Sequence, residues 1–228
     1  MPTPTFLLQW DQVGEKTWET GLDHGVLYIP NASGVYDNGY VWNGLTAVNF
    51  NPTGGEASSQ YADNIEYARI TSKEKCEGTI EAFTYPDEFA QCDGSASLAT
   101  GVYLGQQTRK PFGMSFRTKI GNDVEDEDHG YKIHLVYGAK ANPSSKAYNT
   151  MNESPELLNL SWDFTTIPVP VTGHAATAHI EISSLTCPAA KLTALETILY
   201  GTPASGSDAA VNPKLPTPDE IYALMTAA

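Results

Sequence analysis

The sequence predicts a mainly β fold of the α+β type: an antiparallel two-sheet β sandwich or barrel with one flanking helix and a C-terminal arm. Three observations lead there. Apolar side chains recur at every second position in about nine segments, the period of half-buried strands. Helical spacing of any length is confined to residues 188–200. Strands and helices do not alternate, which excludes a doubly wound sheet.

In chain order, residues 1–25 hold Trp10 and Trp18 among polar residues without clear periodicity, and are expected to be a strand or an extended arm. A short strand over 26–30 is stopped by Pro30. Asn38-Gly39 is expected to turn, because the dipeptide suits positive φ at both central positions. Strands over 40–50 and 61–70 are expected to pair across a projecting loop, in which Pro52, Gly54, Gly55 and Glu56 carry turn chemistry. A strand over 78–85 leads to a helical turn opened by Pro86 and closed before Gly94.

Residues 112–137 organise the rest as a long hairpin. Phe112, Met114 and Phe116 alternate on one arm, and Tyr131, Ile133, Leu135 and Tyr137 on the other. If Phe116 faces Ile133, Met114 opposes Leu135 and Phe112 opposes Tyr137, so the apolar side chains share one face. The other face then sets Ser115 against His134 and Arg117 against Lys132. Two opposed cations need anions from a neighbouring strand, and Asp163 and Glu181 are the candidates. The hairpin tip carries Asp123, Glu125, Asp126, Glu127 and Asp128, five carboxylates with nothing local to neutralise them.

Leu158, Leu160, Trp162 and Phe164 alternate in the next strand, and Ala178, Ile180 and Ile182 in another. The helix over 188–200 puts Leu192, Leu195 and Leu199 on one face, with Gly201 as its stop. Residues 202–216 read as a tether with nothing to bury. Thr217, Pro218 and Glu220 then spell a capping box, and Ile221, Leu224 and Met225 form a short apolar helix that needs a dock on its own domain or a neighbour's.

Thirteen basic against twenty-seven acidic side chains give a formal charge of −14 at pH 7. That balance argues against gripping nucleic acid, though not against a surface that nucleic acid slides past. Cys76, Cys92 and Cys187 lack metal-ligand spacing and are expected to be reduced thiols. The first eight residues lack the basic flank of a signal peptide, and no run is long enough to span a membrane, so a soluble protein without membrane insertion is expected.

No catalytic or ligand-binding motif is complete in the sequence. An EF-hand counted from Asp123 would need an acid where His134 stands. His129 and His134 have no second ligand pair, Gly54-Gly55 lacks the rest of a phosphate loop, and no Gly-x-Ser-x-Gly is present. No enzyme, metal or cofactor is expected.

Several stretches in order nonetheless look familiar: WDQVGEKTWETGLDHG at 10–25, VWNGLTAV at 41–48, AFTYPDEF at 82–89, GQQTRKPFG at 105–113, HLVYG at 134–138, AKLTALETILYG at 190–201 and LPTPDEI at 215–221. Together they resemble the major tail proteins, or tail tube proteins, of long non-contractile-tailed bacteriophages. The resemblance covers nearly the whole chain and singles out no catalytic residue. It implies a tail tube β domain over 1–201, with 202–228 as linker and arm. It further implies hexameric rings stacked into a tube whose inner wall is a continuous β-barrel shared between subunits. Implied partners are further copies of the chain, the tape measure protein, tail terminator and tip proteins, and double-stranded DNA passing non-specifically through the lumen. The implied location is the virion tail, after synthesis in the bacterial host cytoplasm. Within this reading the acidic tip is a candidate for the lumen or a ring contact, the loop at Pro52, Gly54, Gly55 and Glu56 for an inter-ring contact, and Ile221, Leu224 and Met225 for arm docking. The rival is a non-catalytic β-sandwich module that binds carbohydrate or decorates a capsid.

Overall fold

A computed structural model describes residues 8–148, 150, 157–205 and 209–227, so the expectation on the first eight residues lies almost wholly outside them. The strands are β1 (Thr17–Tyr28), β2 (Gly39–Val41), β3 (Leu45–Phe50), β4 (Ala57–Ala62), β5 (Ile65–Thr71), β6 (Glu77–Ala82), β7 (Ala96–Ala99), β8 (Val102–Leu104), β9 (Phe112–Asn122), β10 (Asp126–Ala141), β11 (Leu160–Thr166), β12 (Val169–Val171), β13 (His174–Thr177) and β14 (His179–Ser183). A 3-10 turn spans Asp87–Gln91, and two helices follow, α1 (Ala189–Tyr200) and α2 (Pro218–Thr226). The fold is mainly β and antiparallel with α1 on its flank, as the alternation predicts.

Of sandwich and barrel, the rolled form is the one present. The main sheet runs β2-β1-β9-β10-β11-β6-β3, and its two end strands are consecutive in the chain. The roll brings them together: only three residues link β2 to β3, and the Leu45 side chain of β3 lies directly against Gly25 of β1, while β3 pairs with β6 at the far end. Inside lie Leu27, Trp42, Ile80, Phe112, Met114, Phe116, Val136, Trp162 and Phe164. Phe89 of the 3-10 turn plugs this interior, with ring centroids 4.6 Å from Trp42, 5.2 Å from Trp162 and 5.4 Å from Phe112. The Trp162 indole donates to buried Asp93 at 3.0 Å, and Lys146 neutralises that carboxylate.

A second core lies outside the roll. Val26, Tyr28, Ile133, Leu135 and Tyr137 face outward there and are covered by Leu192, Leu195 and Leu199 of α1, together with Leu215 and Ile221. The expected hairpin register is therefore one residue out. Phe116 opposes His134, Met114 opposes Val136, and Ile133 opposes Arg117, so the two apolar series point to opposite faces and each finds its own core. A bulge at Gly138 (φ 59) adds one more residue of offset, so Phe112 lies opposite Ala139 where Tyr137 was expected. Arg117 and Lys132 are then not opposed at all, since Lys132 sits across from Thr118.

Three more expectations change. Gly39 opens β2 without positive φ, and a tight turn with two left-handed residues sits instead at Asp63-Asn64 (φ 52 and 63), between β4 and β5. Segments 40–50 and 61–70 do not pair, because β3 joins β6 while β4 and β5 form their own two-stranded hairpin. The tether after α1 does bury something. Leu215 is 1% exposed, its N–H donates to the Tyr36 carbonyl at 3.0 Å, and the Pro216 carbonyl accepts from the Tyr137 hydroxyl at 2.9 Å.

Candidate functional site

The roll involves only part of each long strand. Beyond it, the first half of β1, the second half of β9, the first half of β10 and β14 continue as a four-stranded sheet in that order. Alternation gives this extension one packed face and one open face.

On the packed face Arg117 grips Asp23 of β1 through Nε at 2.7 Å and Nη2 at 3.0 Å, a bidentate geometry. That hydrogen bond holds the Asp23 carboxyl below its ordinary range against the opposing pull of burial. The guanidinium lies 4.7 Å over the Tyr131 ring, whose hydroxyl donates to Glu196 of α1 at 2.8 Å.

The open face is polar. Lys132 reaches Glu19 on one side at 2.7 Å and Glu181 on the other at 2.9 Å. Burial raises the Glu19 carboxyl, but hydrogen bonds from Lys132 and Thr118 outweigh it and the group ends below its ordinary value. Hydrogen bonds to both carboxylates raise the Lys132 ammonium in return. Thr118, His134 and His179 complete the row. Of the expected anions Glu181 serves Lys132, whereas Asp163 accepts from the Thr79 hydroxyl at 2.8 Å and meets neither cation. Asp23 and Glu19 are the partners that alternation could not reveal, because bulges at Thr20/Leu22 and Asp23/Val26 scramble the phase of β1.

Both outer edges of this sheet are unpaired among the described residues. β2 reaches only Val26 to Tyr28 of β1, leaving the Thr17 to Asp23 side open, and β14 pairs with β10 alone. The Tyr137 N–H donates to the Ala178 carbonyl and the Ser184 N–H to the Tyr131 carbonyl, both at 2.9 Å. Even-numbered residues of β14 thus turn their backbone groups to β10, and His179, Glu181 and Ser183 turn theirs outward. The Thr177 hydroxyl bonds both groups of His179 and the Cys187 N–H donates to the Ser183 carbonyl, so the edge offers Glu181 and the Ser183 N–H.

The acidic tip closes the far end of β9 and β10. Glu127 pairs with Lys119 at 3.1 Å, so the expectation that nothing local neutralises the tip is corrected for one of its five carboxylates, and Glu125 lies at hydrogen-bond distance, 2.7 Å, from His129 Nδ1. Asp123 accepts from the Gly14 N–H at 2.9 Å, while Asp126 and Asp128 have no ion pair among the described residues. Gly54 and Gly55 (φ 83 and 75), with Pro52 and Glu56, form an exposed approach to the β4–β5 hairpin. That hairpin exposes Tyr61, Ile65, Tyr67 and Ile70, and the β7–β8 hairpin exposes Leu98, Val102, Tyr103 and Leu104. The arm docks on its own domain: Ile221 is buried beside α1, with Leu224 and Met225 half-buried around it, and the capping box is formed at Thr217 and Glu220.

No cluster of three or more metal-ligating side chains occurs among the described residues, and none of their helices is long and apolar enough to cross a membrane. Burial pushes the Cys92 thiol up to about 12, a value at odds with a reactive nucleophile. No family model matches the chain, and no curated protein matches it.

Proposed function

We propose that the chain is a structural virion protein that polymerises as stacked hexameric rings into the tube of a long non-contractile phage tail, the conduit for double-stranded DNA. The observation that carries this reading is the four-stranded extension with two unpaired edges, one face covered by α1 and the other hydrophilic. An exposed edge is a template for pairing with another chain, and a sheet with two of them can join a neighbour on each side. Six such sheets joined edge to edge would give an inner barrel with Glu19, Lys132 and Glu181 on its lumen.

Two carboxylates against one ammonium in every subunit would make that lumen repel phosphate, in keeping with the net charge of −14. The apolar β4–β5 and β7–β8 hairpins fit contacts between rings, since an isolated two-stranded hairpin is marginal in water without a partner. Tape measure, terminator and tip proteins belong to the same proposal. The exposed Tyr61 and Tyr67 are what favours the rival, a carbohydrate-binding module.

Ser183→Pro separates the two. It removes an N–H that faces away from β10, so the monomer should fold while edge pairing stops. Sedimentation of parent and variant over a concentration series should show rings or filaments for the parent alone. A parent that stays monomeric and binds oligosaccharide would support the module instead.

A further inference from the structure

Four side chains on the open face form a hydrogen-bonded chain whose direction is set at one end. Thr118 Oγ1 lies 2.5 Å from Glu19 Oε1, and a carboxylate can only accept, so the hydroxyl donates there. Its oxygen must then accept at the 2.9 Å contact with His134 Nε2, which carries the proton. Neutral His134 has a bare Nδ1, so the 3.2 Å contact to His179 Nε2 is an N–H···N bond donated by His179. The two rings are parallel to within 2°. The chain takes one residue from each of β1, β9, β10 and β14 and ends on the edge strand.

Its surroundings favour neutral rings. Phe116 stacks on His134 at 4.7 Å and Phe50 of β3 lies 4.5 Å from His179. Burial lowers His134 despite the nearby carboxylates Glu181 and Glu19, and lowers His179 to about 4. The other titratable groups facing the pair are Lys132, on the same strand as His134, and Glu74 and Cys76, which line a cavity of about 460 Å³ beside His179.

We propose that this chain is an acid-released latch on β14: once both imidazoles are protonated, two N–H groups face each other where one hydrogen bond stood, and the edge strand separates from β10. A first proton does not open it. It goes to Nδ1 of His134, the ring that has Glu181 3.9 Å from Nδ1 and Glu19 3.4 Å from Nε2. His179 exchanges its Nε2 proton for one on Nδ1 and accepts instead, so the bond survives with its direction reversed. The second proton, on His179, leaves two donors and no acceptor, with the Lys132 ammonium adjacent. Glu19 meets the chain at Thr118 Oγ1 and His134 Nε2, so it offers no acceptor at the contact between His134 Nδ1 and His179 Nε2. The latch stands whether or not β14 is an assembly edge, so it is tested on the full-length monomer.

Histidine ¹⁵N spectra and amide protection, followed from neutral pH down to about 4, test it. Both rings should start as the Nε2–H tautomer, and His179 should pass to Nδ1–H before it protonates. With that last step, protection at Ile180 and Ile182 should fall about tenfold or more while Met114 and Phe116 stay protected. His179→Gln, which keeps a donor and does not titrate, should hold β14 to lower pH. An Nδ1–H tautomer of His179 at neutral pH overturns the proposal. So does loss of protection in β14 and β9 together, or release of His179→Gln at the parent's pH.

Discussion

The two halves of the β9–β10 ribbon are built from the same pair of strands and serve opposite ends. In the half next to Phe112, both faces are buried: Phe112, Met114 and Val136 point into the roll, and Leu135 and Tyr137 point toward α1. In the half next to the acidic tip, only one face is covered, and the other carries Thr118, Lys132 and His134 among carboxylates. The first half stores stability and the second presents a surface. Charged side chains are tolerated there because they meet partners across the strands without being fully desolvated.

This contrast predicts a ranking of effects. Truncation after Tyr200 should weaken the doubly buried half most, because it uncovers Tyr137 and removes the buried Leu215 and Ile221. At the usual gain for burying such side chains the loss is about 3–6 kcal/mol, measurable by urea unfolding. An unchanged midpoint would mean that the arm packs elsewhere in solution. Phe112→Ala should follow at about 3–5 kcal/mol, the cost of a large cavity in a closed interior.

Acid comes next. The folded-state value of His179, about 4, lies below its ordinary 6.5, so the unfolded chain takes up the proton first. Stability should therefore be level above about pH 6.5 and decline as pH falls toward 4, with the melting temperature lower by a few degrees. His179→Gln should flatten that slope. Lys132→Ala, in the open half, should cost no more than about 1 kcal/mol, since its ion pairs are partly exposed. Its larger effect should be on assembly, where two uncompensated carboxylates per subunit would face a lumen. Neutralising Asp123, Glu125, Asp126, Glu127 and Asp128 together should change stability least for each site altered, within about 0.5 kcal/mol apiece and of either sign. A failure of tube growth or slower DNA ejection in that variant would place the tip at a contact or the lumen.

How much of this was legible in the sequence follows the same division. The helix face of Leu192, Leu195 and Leu199, the capping box at Thr217 and the alternation of Leu160, Trp162 and Phe164 all read true, because each buries one face against one core. The hairpin register did not. Residues 133–137, Ile-His-Leu-Val-Tyr, are buried without a break, the pattern of a strand covered on both sides, and such a run does not declare which phase faces which core. The docked tether was hidden because main-chain groups and the single side chain of Leu215 do the holding. The row from Glu19 to His179 was hidden for another reason. Its β1 member lies in a stretch whose bulges erase the two-residue period, and its histidines look like surface residues until Thr118 and Phe116 are placed beside them.

The claim that β14 and the first half of β1 are joining edges is tested most directly by negative-stain microscopy of the purified protein as its concentration rises, with Ser183→Pro alongside. Rings or tubes are expected for the parent and dispersed, folded monomers for the variant. Monomers from the parent at every concentration, or tubes from Ser183→Pro as long as the parent's, would contradict it.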